Sequence, residues 1–279
     1  MKIILAQSAG FCFGVKRATQ MAFEAADQNP CICSLGPIIH SPQLVERLEG
    51  KGVRVVREVS DVEGGAVIIR SHGVTAQVLD ELKGKGLDLI DATCPFVQKA
   101  QEHAEELSRD GYAVVIVGEK EHPEVAGILS WARHGEAFVV ADAEEAGALG
   151  KFRKLGLVAQ TTQSYENLNE IVGVCLGKAK ELRVFNTICN ATTVRQEEAR
   201  QIAQQVDLML VVGGYNSANT TRLAHICAQH QSRTHHVETA EEIDPAWFGG
   251  VNTVGVTAGA STPRWIIDEV LARIEKLEK

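Results

Sequence analysis

The chain has 279 residues and a formal net charge of −8 at pH 7, with 45% hydrophobic and 23% charged residues. This acidic, ordinary globular composition argues against a nucleic-acid-binding surface, which would be basic. No apolar run approaches the roughly 18 residues of a membrane span, and the N-terminus does not have the shape of a signal peptide. Because seven cysteines are an odd number for a disulfide framework, we expect thiols in a reducing cytoplasm.

Strand and helix patterns alternate along the chain. Apolar runs rich in β-branched residues predict twelve strands, and continuous runs such as VVIV at 114–117 are typical of strands buried on both faces of a parallel sheet. The predicted strands are residues 2–6, 31–35, 53–56, 66–70, 87–92, 113–118, 137–141, 155–159, 182–187, 208–213, 234–237 and 253–257. Helical spacing predicts helices between them, including residues 41–49, 75–83, 95–109, 164–178, 196–205, 219–229 and 263–276.

Three cysteines share one setting, between the end of a predicted strand and the start of a predicted helix. Cys12 lies in the sequence GFCFG, whose glycines allow the backbone to approach a bulky group closely. Cys94 precedes a proline, which suits the first position of a helix and makes Cys94 its N-cap. Cys189 follows a third apolar run. The other four are interpreted as core residues: Cys31, Cys33, Cys175 and Cys227.

Two polar segments follow each of these three cysteines at similar distances, again between a predicted strand and a predicted helix. The first lies 28 residues after each cysteine, and the second lies further on. These positions are His40, His122 and Ser217, then His72, Thr161 and Ser261. The repeat predicts an α/β fold of three similar small domains with mostly parallel sheets, at residues 1–92, 93–187 and 188–279, carrying Cys12, Cys94 and Cys189 respectively.

Ligands of open α/β sheets bind beyond the carboxyl ends of the strands, where all nine repeat positions lie. If the three domains face one another around a pseudo-threefold axis, these ends line one central cavity. Three thiolates there are able to hold Zn²⁺ or an iron–sulfur cluster. Zinc sites usually have two ligands close in sequence, and these cysteines have no such neighbour, which favours a cluster. A [4Fe–4S] cluster with three protein ligands keeps one iron open to substrate.

The other groups expected in this cavity are hydrogen-bond donors near helix N-termini, which favour an anion or a phosphate. They are His40, His72, His122, Thr161, Thr162, Ser217, Asn219 and Ser261. Glu124 is the one carboxylate in the set. It is either a proton source beside the substrate or a first-turn acid that interacts with the helix dipole, and the spacing favours neither reading.

Six segments in order resemble the 4-hydroxy-3-methylbut-2-enyl diphosphate reductase family, the last enzymes of the methylerythritol phosphate route to isoprenoids. They are GFCFGV at 10–15, DATCP at 91–95, HPEV at 122–125, QTT at 160–162, CNAT at 189–192 with Arg195 and Gln196, and VTAGAS at 256–261. The resemblance runs from Cys12 to Ser261, which is almost the whole chain. The resemblance implies three α/β domains around a central [4Fe–4S] cluster that Cys12, Cys94 and Cys189 hold.

The same resemblance implies an oxidoreductase that reductively removes the hydroxyl of its allylic diphosphate, using two electrons and two protons. The products are isopentenyl and dimethylallyl diphosphate, and the expected electron donor is reduced ferredoxin or flavodoxin. The implied proton source is Glu124, with Thr161 near the substrate hydroxyl and His122 as a further catalytic residue. The expected oligomeric state is a monomer.

The implied substrate contacts are His40, His72, His122, Thr161, Thr162, Ser217, Ala218, Asn219 and Ser261. Ala218 is a departure, because many members of the family have a serine there. Only its backbone N–H remains for a contact. Two other readings of the same residues are a zinc-dependent hydrolase with Glu124 as its base and a non-catalytic iron–sulfur redox protein. The second reading leaves the histidines and Glu124 without a role.

Overall fold

The computed structural model describes residues 1–277, which form twelve strands and ten α-helices. The strands are β1 (Lys2–Leu5), β2 (Ile32–Leu35), β3 (Val53–Val56), β4 (Ala66–Ile69), β5 (Asp88–Asp91), β6 (Ala113–Val117), β7 (Ala137–Val140), β8 (Phe152–Ala159), β9 (Ala179–Val184), β10 (Leu208–Val212), β11 (Thr234–Val237) and β12 (Thr253–Ala258). The helices are α1 (Phe13–Gln28), α2 (Pro42–Glu49), α3 (Ala76–Gly84), α4 (Pro95–Arg109), α5 (Pro123–Trp131), α6 (Ala143–Ala148), α7 (Tyr165–Leu176), α8 (Asn190–Ala203), α9 (Ala218–His230) and α10 (Arg264–Leu277).

The strands form three four-stranded sheets in which every pair is parallel. Their orders are β1-β12-β10-β11, β3-β2-β4-β5 and β7-β6-β8-β9. The predicted α/β class with parallel sheets is confirmed. Each predicted segment contains the strands of one sheet, with one exception. Strand β1 pairs with β12 and lies in the sheet of the last segment.

Apolar side chains on both faces of the strands form the cores. In the sheet of β6 and β8, Val114 and Ile116 pack on the α4 and α5 side, whereas Val115 and Val117 pack on the opposite side with Ile171 of α7. All five are fully buried. Full burial of a side chain of this size contributes about 1.5–3 kcal/mol. The continuous apolar runs in the sequence are therefore explained by helices on both faces of each sheet.

Three predicted starts are wrong by three residues or more, and one of them is that of β8, which begins at Phe152 rather than at residue 155. Strand β9 begins at Ala179, three residues before the predicted start, because Ala179 pairs with Phe152 at the open edge of the sheet, where polar side chains are tolerated. Helix α8 begins at Asn190, immediately after Cys189, although residue 196 was the predicted start. Its first turn contains Asn190, Thr192 and Thr193, which are weak helix formers, so the sequence pattern there does not indicate a helix.

The chain divides into two compact units. Unit 1 consists of Met1–Lys16, Ile39–Glu46 and Asn190–Lys279, and it contains the sheet of β1, β10, β11 and β12. Unit 2 consists of Arg17–Ile38 and Arg47–Cys189, and it contains the other two sheets. The three domain segments read from the sequence repeat stay a prediction. Within residues 1–277, no helix combines the length and the apolar character that crossing a membrane requires.

Candidate functional site

The three cysteines singled out by the sequence occupy equivalent places in the three sheets. Each follows an edge strand, which is β1, β5 or β9. Each backbone N–H donates to a carbonyl in the loop after the neighbouring strand. These hydrogen bonds are Cys12 to Ala260 at 3.3 Å, Cys94 to Ser71 at 2.9 Å and Cys189 to Thr161 at 2.9 Å. The carbonyls belong to, or immediately precede, the second polar segment of each sheet, so the sequence repeat corresponds to a repeated contact.

The local setting of these cysteines suits metal ligands. All three thiols are partly exposed rather than packed in a core. Cys94 is the N-cap of α4 with a proline after it, as predicted, and α1 and α8 begin one residue after Cys12 and Cys189. A helix N-terminus favours negative charge, which a ligating thiolate carries. Gly10 has a φ of 96°, which confirms that the turn before Cys12 needs a glycine.

The other four cysteines differ from this setting. Cys33, Cys175 and Cys227 are buried, which confirms the prediction of core residues. Burial raises the pKa of each of these three thiols, that of Cys227 to about 12, so they stay protonated at neutral pH. The prediction is wrong for Cys31, which is exposed because it precedes β2 instead of lying within it.

Glu124 and Thr161 form the central contact of the polar residues in unit 2. Glu124 lies in the first turn of α5 and is only 2% exposed. Its two carboxylate oxygens accept hydrogen bonds from the Thr161 backbone N–H at 2.6 Å and from the Thr161 hydroxyl at 2.9 Å. Burial raises the pKa of Glu124 to about 7, although the hydrogen bonds from Thr161 act in the opposite direction. A carboxyl with this pKa is able to give up a proton at neutral pH.

The buried Glu124 is therefore more than a solvated acid at a helix start. Thr161 holds Glu124 with its N–H and hydroxyl, and its carbonyl accepts the N–H of Cys189. A single threonine thus connects the acid to the backbone of a candidate cluster ligand. Of the two readings that the sequence left open for Glu124, the geometry favours the proton source.

His122 and His72 extend the same group of contacts. His122 is the N-cap of α5, and its Nδ1 accepts the Glu124 backbone N–H at 3.1 Å. This hydrogen bond assigns the proton of a neutral His122 to Nε2, which makes that nitrogen a donor. The edge of one ring faces the other, with 5.5 Å between the centroids of His72 and His122. His72 directly follows Ser71, the residue whose carbonyl accepts the N–H of Cys94.

Gln160 lies in the QTT segment that the sequence analysis named, but no role was predicted for it. Its side chain is fully buried, accepts the Glu119 N–H at 3.0 Å and donates to the Thr162 hydroxyl at 3.0 Å. It therefore orients one of the predicted substrate contacts. The available signal was a glutamine at the end of a continuous apolar strand, where a polar side chain needs an internal partner.

In unit 1, the predicted contacts gather at the start of α9. Ser217 is the N-cap, and its hydroxyl oxygen lies 3.3 Å from that of Ser261. Asn219 is 5% exposed, and neither its Nδ2 nor its Oδ1 has a hydrogen-bond partner among residues 1–277. Ala218 is the first residue of the helix, where backbone N–H groups lack an intrahelical acceptor. Buried donors around such a helix start suit an anion.

His40 also belongs to unit 1. Its backbone passes so close to Gly214 that a Cβ there would lie 3.1 Å from the His40 carbonyl oxygen. A side chain at residue 214 would therefore need the backbone of His40 to move by a few tenths of an ångström. The segment of His40 therefore packs against the loop that leads to Ser217. Unit 1 by itself thus holds Cys12, His40 and the hydroxyls of Ser217 and Ser261, and unit 2 holds the other two cysteines, His72, His122 and the two threonines.

The chain matches known proteins along almost its whole length. The family model described as LytB protein matches residues 3–275. This chain belongs to the LytB family. A 4-hydroxy-3-methylbut-2-enyl diphosphate reductase of Syntrophotalea carbinolica is 64% identical over 279 residues, which is 100% of both chains. A relative of the same name from Geotalea uraniireducens is 60% identical over 100% of this chain and 99% of its own.

Two solved structures of LytB-type reductases resemble the fold. One is described as (E)-4-hydroxy-3-methyl-but-2-enyl diphosphate reductase, the terminal enzyme of the non-mevalonate pathway. It is 47% identical, with a TM-score of 0.72, over 99% of this chain and 100% of its own. The other is the E-1-hydroxy-2-methyl-but-2-enyl-4-diphosphate reductase of Plasmodium falciparum, which is 28% identical with a TM-score of 0.90 over 100% of this chain and 88% of its own. The resemblance noted in the sequence is confirmed at the level of the family.

Proposed function

We propose that this LytB-family chain reduces 4-hydroxy-3-methylbut-2-enyl diphosphate to isopentenyl and dimethylallyl diphosphate, and that the residues described above carry out the reaction. The allylic C–O bond breaks, two electrons and two protons are consumed, and the hydroxyl leaves as water. One proton joins the departing oxygen and the other joins carbon at either end of the allylic system, which gives the two products. The observation that carries the proposal is the buried Glu124, with a pKa of about 7, in contact with Thr161.

Cys12, Cys94 and Cys189 are the proposed ligands of a [4Fe–4S] cluster. Their thiols are partly exposed and lie at helix starts, and each backbone N–H is fixed by a loop carbonyl. An all-thiolate donor set suits an iron–sulfur cluster better than it suits a hard cation. When bound, the cluster supplies the electrons and one iron with an open coordination position.

Glu124 is the proposed proton donor to the substrate hydroxyl. At neutral pH, a pKa of about 7 leaves a large fraction of the carboxyl protonated, and the proton is lost to a stronger base without a large penalty. The Thr161 hydroxyl contacts Oε2 of Glu124 and is the proposed relay and positioning group. The hydrogen bond from the Thr161 N–H to Oε1 of Glu124 stabilises the carboxylate that remains after proton transfer.

The diphosphate is the proposed ligand of the buried donors at the starts of α5 and α9. Because Nδ1 of His122 accepts from the helix backbone, a neutral His122 carries its proton on Nε2, which is the proposed donor. Asn219 buries its amide without a protein partner among residues 1–277, and Ser217 and Ser261 lie beside it in unit 1. His40, His72, Thr162 and the N–H of Ala218 complete the proposed set.

Three further points remain proposals from the sequence and the family resemblance. They are a reduced ferredoxin or flavodoxin as the electron donor, a monomeric state and a cytoplasmic location. The last is supported by seven cysteines that are present as thiols.

The function is tested by purifying the protein without oxygen, measuring its iron and zinc, and incubating it with substrate and a chemical reductant. We expect a brown protein with a full cluster that releases both products, identified by mass spectrometry. A colourless protein with one zinc and no reductive turnover would support the zinc hydrolase reading instead. A brown protein that leaves the substrate unchanged would support the non-catalytic redox reading.

A further inference from the structure

Helix α8 holds the turn that leads to Cys12. Arg195 of this helix is 3% exposed. Its guanidinium donates to the Ser8 carbonyl from Nε at 3.1 Å and from Nη2 at 2.6 Å, and Nη2 also donates to the Gly10 carbonyl at 2.7 Å. Residues 6–12 lie between β1 and α1 and have no sheet partner of their own for these carbonyls. Nη2 alone reaches both carbonyls. The planar guanidinium fixes the directions of its donors, whereas a lysine ammonium is a point charge on a flexible stem.

Glu198, one turn further along α8, holds the N–H groups of the same turn. It accepts the Gln7 N–H at 2.6 Å, the Ser8 N–H at 2.9 Å and the Ser8 hydroxyl. Burial acts to raise the pKa of Glu198, but the hydrogen bonds from Ser8 and Gln7 and the charge of Arg195 outweigh it, so the pKa lies below its ordinary value. Two oppositely charged side chains of one helix thus bind the donors and the acceptors of one turn.

A second arginine makes the corresponding contact at Cys94. Arg17 lies in the second turn of α1, and its guanidinium donates to the Thr93 carbonyl at 3.1 Å and to the Asp91 carbonyl at 3.4 Å. The turn is also closed internally, since the Asp91 carboxylate accepts the Thr93 N–H at 2.9 Å. The acceptors immediately precede Cys94, as Gly10 and Ser8 precede Cys12.

The turn before Cys189 is held by its own sheet. The Thr187 hydroxyl accepts the Ala159 N–H at 2.8 Å and donates to the Ala159 carbonyl at 2.6 Å. This pair ties the turn to the end of β8, so the third cysteine does not need an arginine. The arginine contacts are therefore specific to the two turns that no such hydroxyl closes.

We infer that three side chains are positioning residues for the cluster. Arg195 and Glu198 fix the turn of Cys12, and Arg17 fixes the turn of Cys94. Each arginine lies on a helix that begins after a different cysteine from the one whose turn it contacts. Arg195 lies on the helix that begins after Cys189 and holds the turn of Cys12, and Arg17 lies on the helix that begins after Cys12 and holds the turn of Cys94. The turns of Cys12 and Cys94 are thus each preorganised by the helix that begins after another cysteine. The inference rests on the proposed ligation of the cluster by these cysteines.

A positioning role has consequences that general stabilisation lacks. Outer-shell partners of metal ligands typically change metal affinity about 10–100-fold when they are removed. A nearby positive charge also favours the reduced, more negative cluster, and so raises its midpoint potential. Arg195→Gln should remove both the fork and the charge, whereas Arg195→Lys keeps the charge and loses the fork. The two effects are therefore separable.

The test uses the protein purified with its cluster under anaerobic conditions. We would measure the rate at which an iron chelator bleaches the cluster, the electron paramagnetic resonance spectrum of the reduced cluster and its midpoint potential. The variants are Arg195→Gln, Arg195→Lys, Glu198→Gln and Arg17→Gln. The control is Arg200→Gln on the same helix, because Arg200 pairs with Glu197 at 2.8 Å and is not one of the residues described above at the turn of Cys12.

We expect bleaching about 10-fold faster or more in Arg195→Gln and Arg17→Gln, with a changed spectrum. The midpoint potential should be lower in both, and Arg195→Lys should keep the wild-type potential while bleaching faster. Arg200→Gln should match the wild type in all three readouts. If Arg195→Gln does not fold, Glu198→Gln and Arg17→Gln test the inference in its place. Wild-type bleaching, spectrum and potential in these two variants would overturn the inference. A wild-type protein without a cluster would instead contradict the proposed function.

Discussion

Thr161 donates both its backbone N–H and its hydroxyl to the carboxylate of Glu124, at 2.6 Å and 2.9 Å, while its carbonyl accepts the N–H of Cys189. The acid and the cysteine are far apart in sequence, and one threonine fixes both. The contact gives a buried carboxyl two hydrogen-bond donors and links it, through one residue, to the backbone of a candidate cluster ligand. It also makes the protonation of Glu124 sensitive to this residue.

The first prediction concerns the titration of Glu124. Burial raises its pKa from the ordinary 4.5 to about 7. In the unfolded chain the carboxyl loses its proton near pH 4.5, whereas in the folded protein it keeps it. As the pH rises from 4.5 to 7, the free energy of unfolding of the wild type should therefore fall relative to that of Glu124→Gln. The difference between the two proteins should be constant below and above this range. Infrared difference spectra should show a protonated carboxyl band that titrates near pH 7 and is absent from Glu124→Gln. A titration near pH 4.5 would contradict the assignment.

The second prediction concerns Thr161. Thr161→Val removes the hydroxyl donor but keeps the backbone N–H and the approximate shape. Losing one hydrogen bond to a charged group costs about 1.5–3 kcal/mol, so the pKa of Glu124 should rise further. Turnover should fall because the proposed relay and positioning hydroxyl is missing. Thr161→Ser keeps the hydroxyl and serves as the matched control. A Thr161→Val variant with the wild-type pH–rate profile would show that the hydroxyl does not act on Glu124.

The third prediction concerns the cysteines. Cys12→Ser, Cys94→Ser and Cys189→Ser should each lower bound iron and lose the cluster absorbance. Cys31→Ser should keep both, because Cys31 is exposed and lies outside the three equivalent turns. Iron analysis of anaerobically purified variants checks this. A full cluster in Cys94→Ser, or a lost cluster in Cys31→Ser, would contradict the ligand set.

The fourth prediction concerns Asn219, whose buried amide has no hydrogen-bond partner among residues 1–277. Burying an unpaired polar group is unfavourable, typically by about 1–3 kcal/mol. Asn219→Leu should therefore leave the substrate-free protein as stable as the wild type or more stable, while the KM rises about tenfold or more. Thermal unfolding and steady-state kinetics would measure the two effects. Lower stability with an unchanged KM would indicate a structural role instead.

The fifth prediction uses Ala218 at the start of α9. Ala218→Ser introduces the hydroxyl that the family resemblance leads us to expect at this position, beside Ser217 and Asn219. The added hydroxyl should lower the KM for the diphosphate without changing the midpoint potential of the cluster. Ala224→Ser on the same helix is the control, because residue 224 lies about two turns from the helix start. An equal change of KM in both variants would argue against a contact at Ala218.

The sequence predicts much of the fold because parallel strands buried on both faces need continuous apolar runs, as in β6 and β10. It places Cys94 and His122 at helix starts because proline follows both. It does not place β1 in its sheet, since pairing between the two ends of the chain leaves no local signal. Gln160 and Arg195 lie in segments that carry the family resemblance but receive no role there, and Glu198 is not singled out. Their roles depend on loop carbonyls and N–H groups that only the folded chain brings within reach.

The most direct test of the central role of Glu124 is a single-turnover reduction of the substrate with a chemically reduced cluster. This removes the electron donor as a variable. Glu124→Gln keeps the shape of the side chain and removes its proton. We expect the variant to load a cluster and bind substrate as the wild type does. Its rate of substrate conversion should be lower by about 10²-fold or more. Conversion at the wild-type rate would contradict the account, because the proton that releases the hydroxyl would then come from another group.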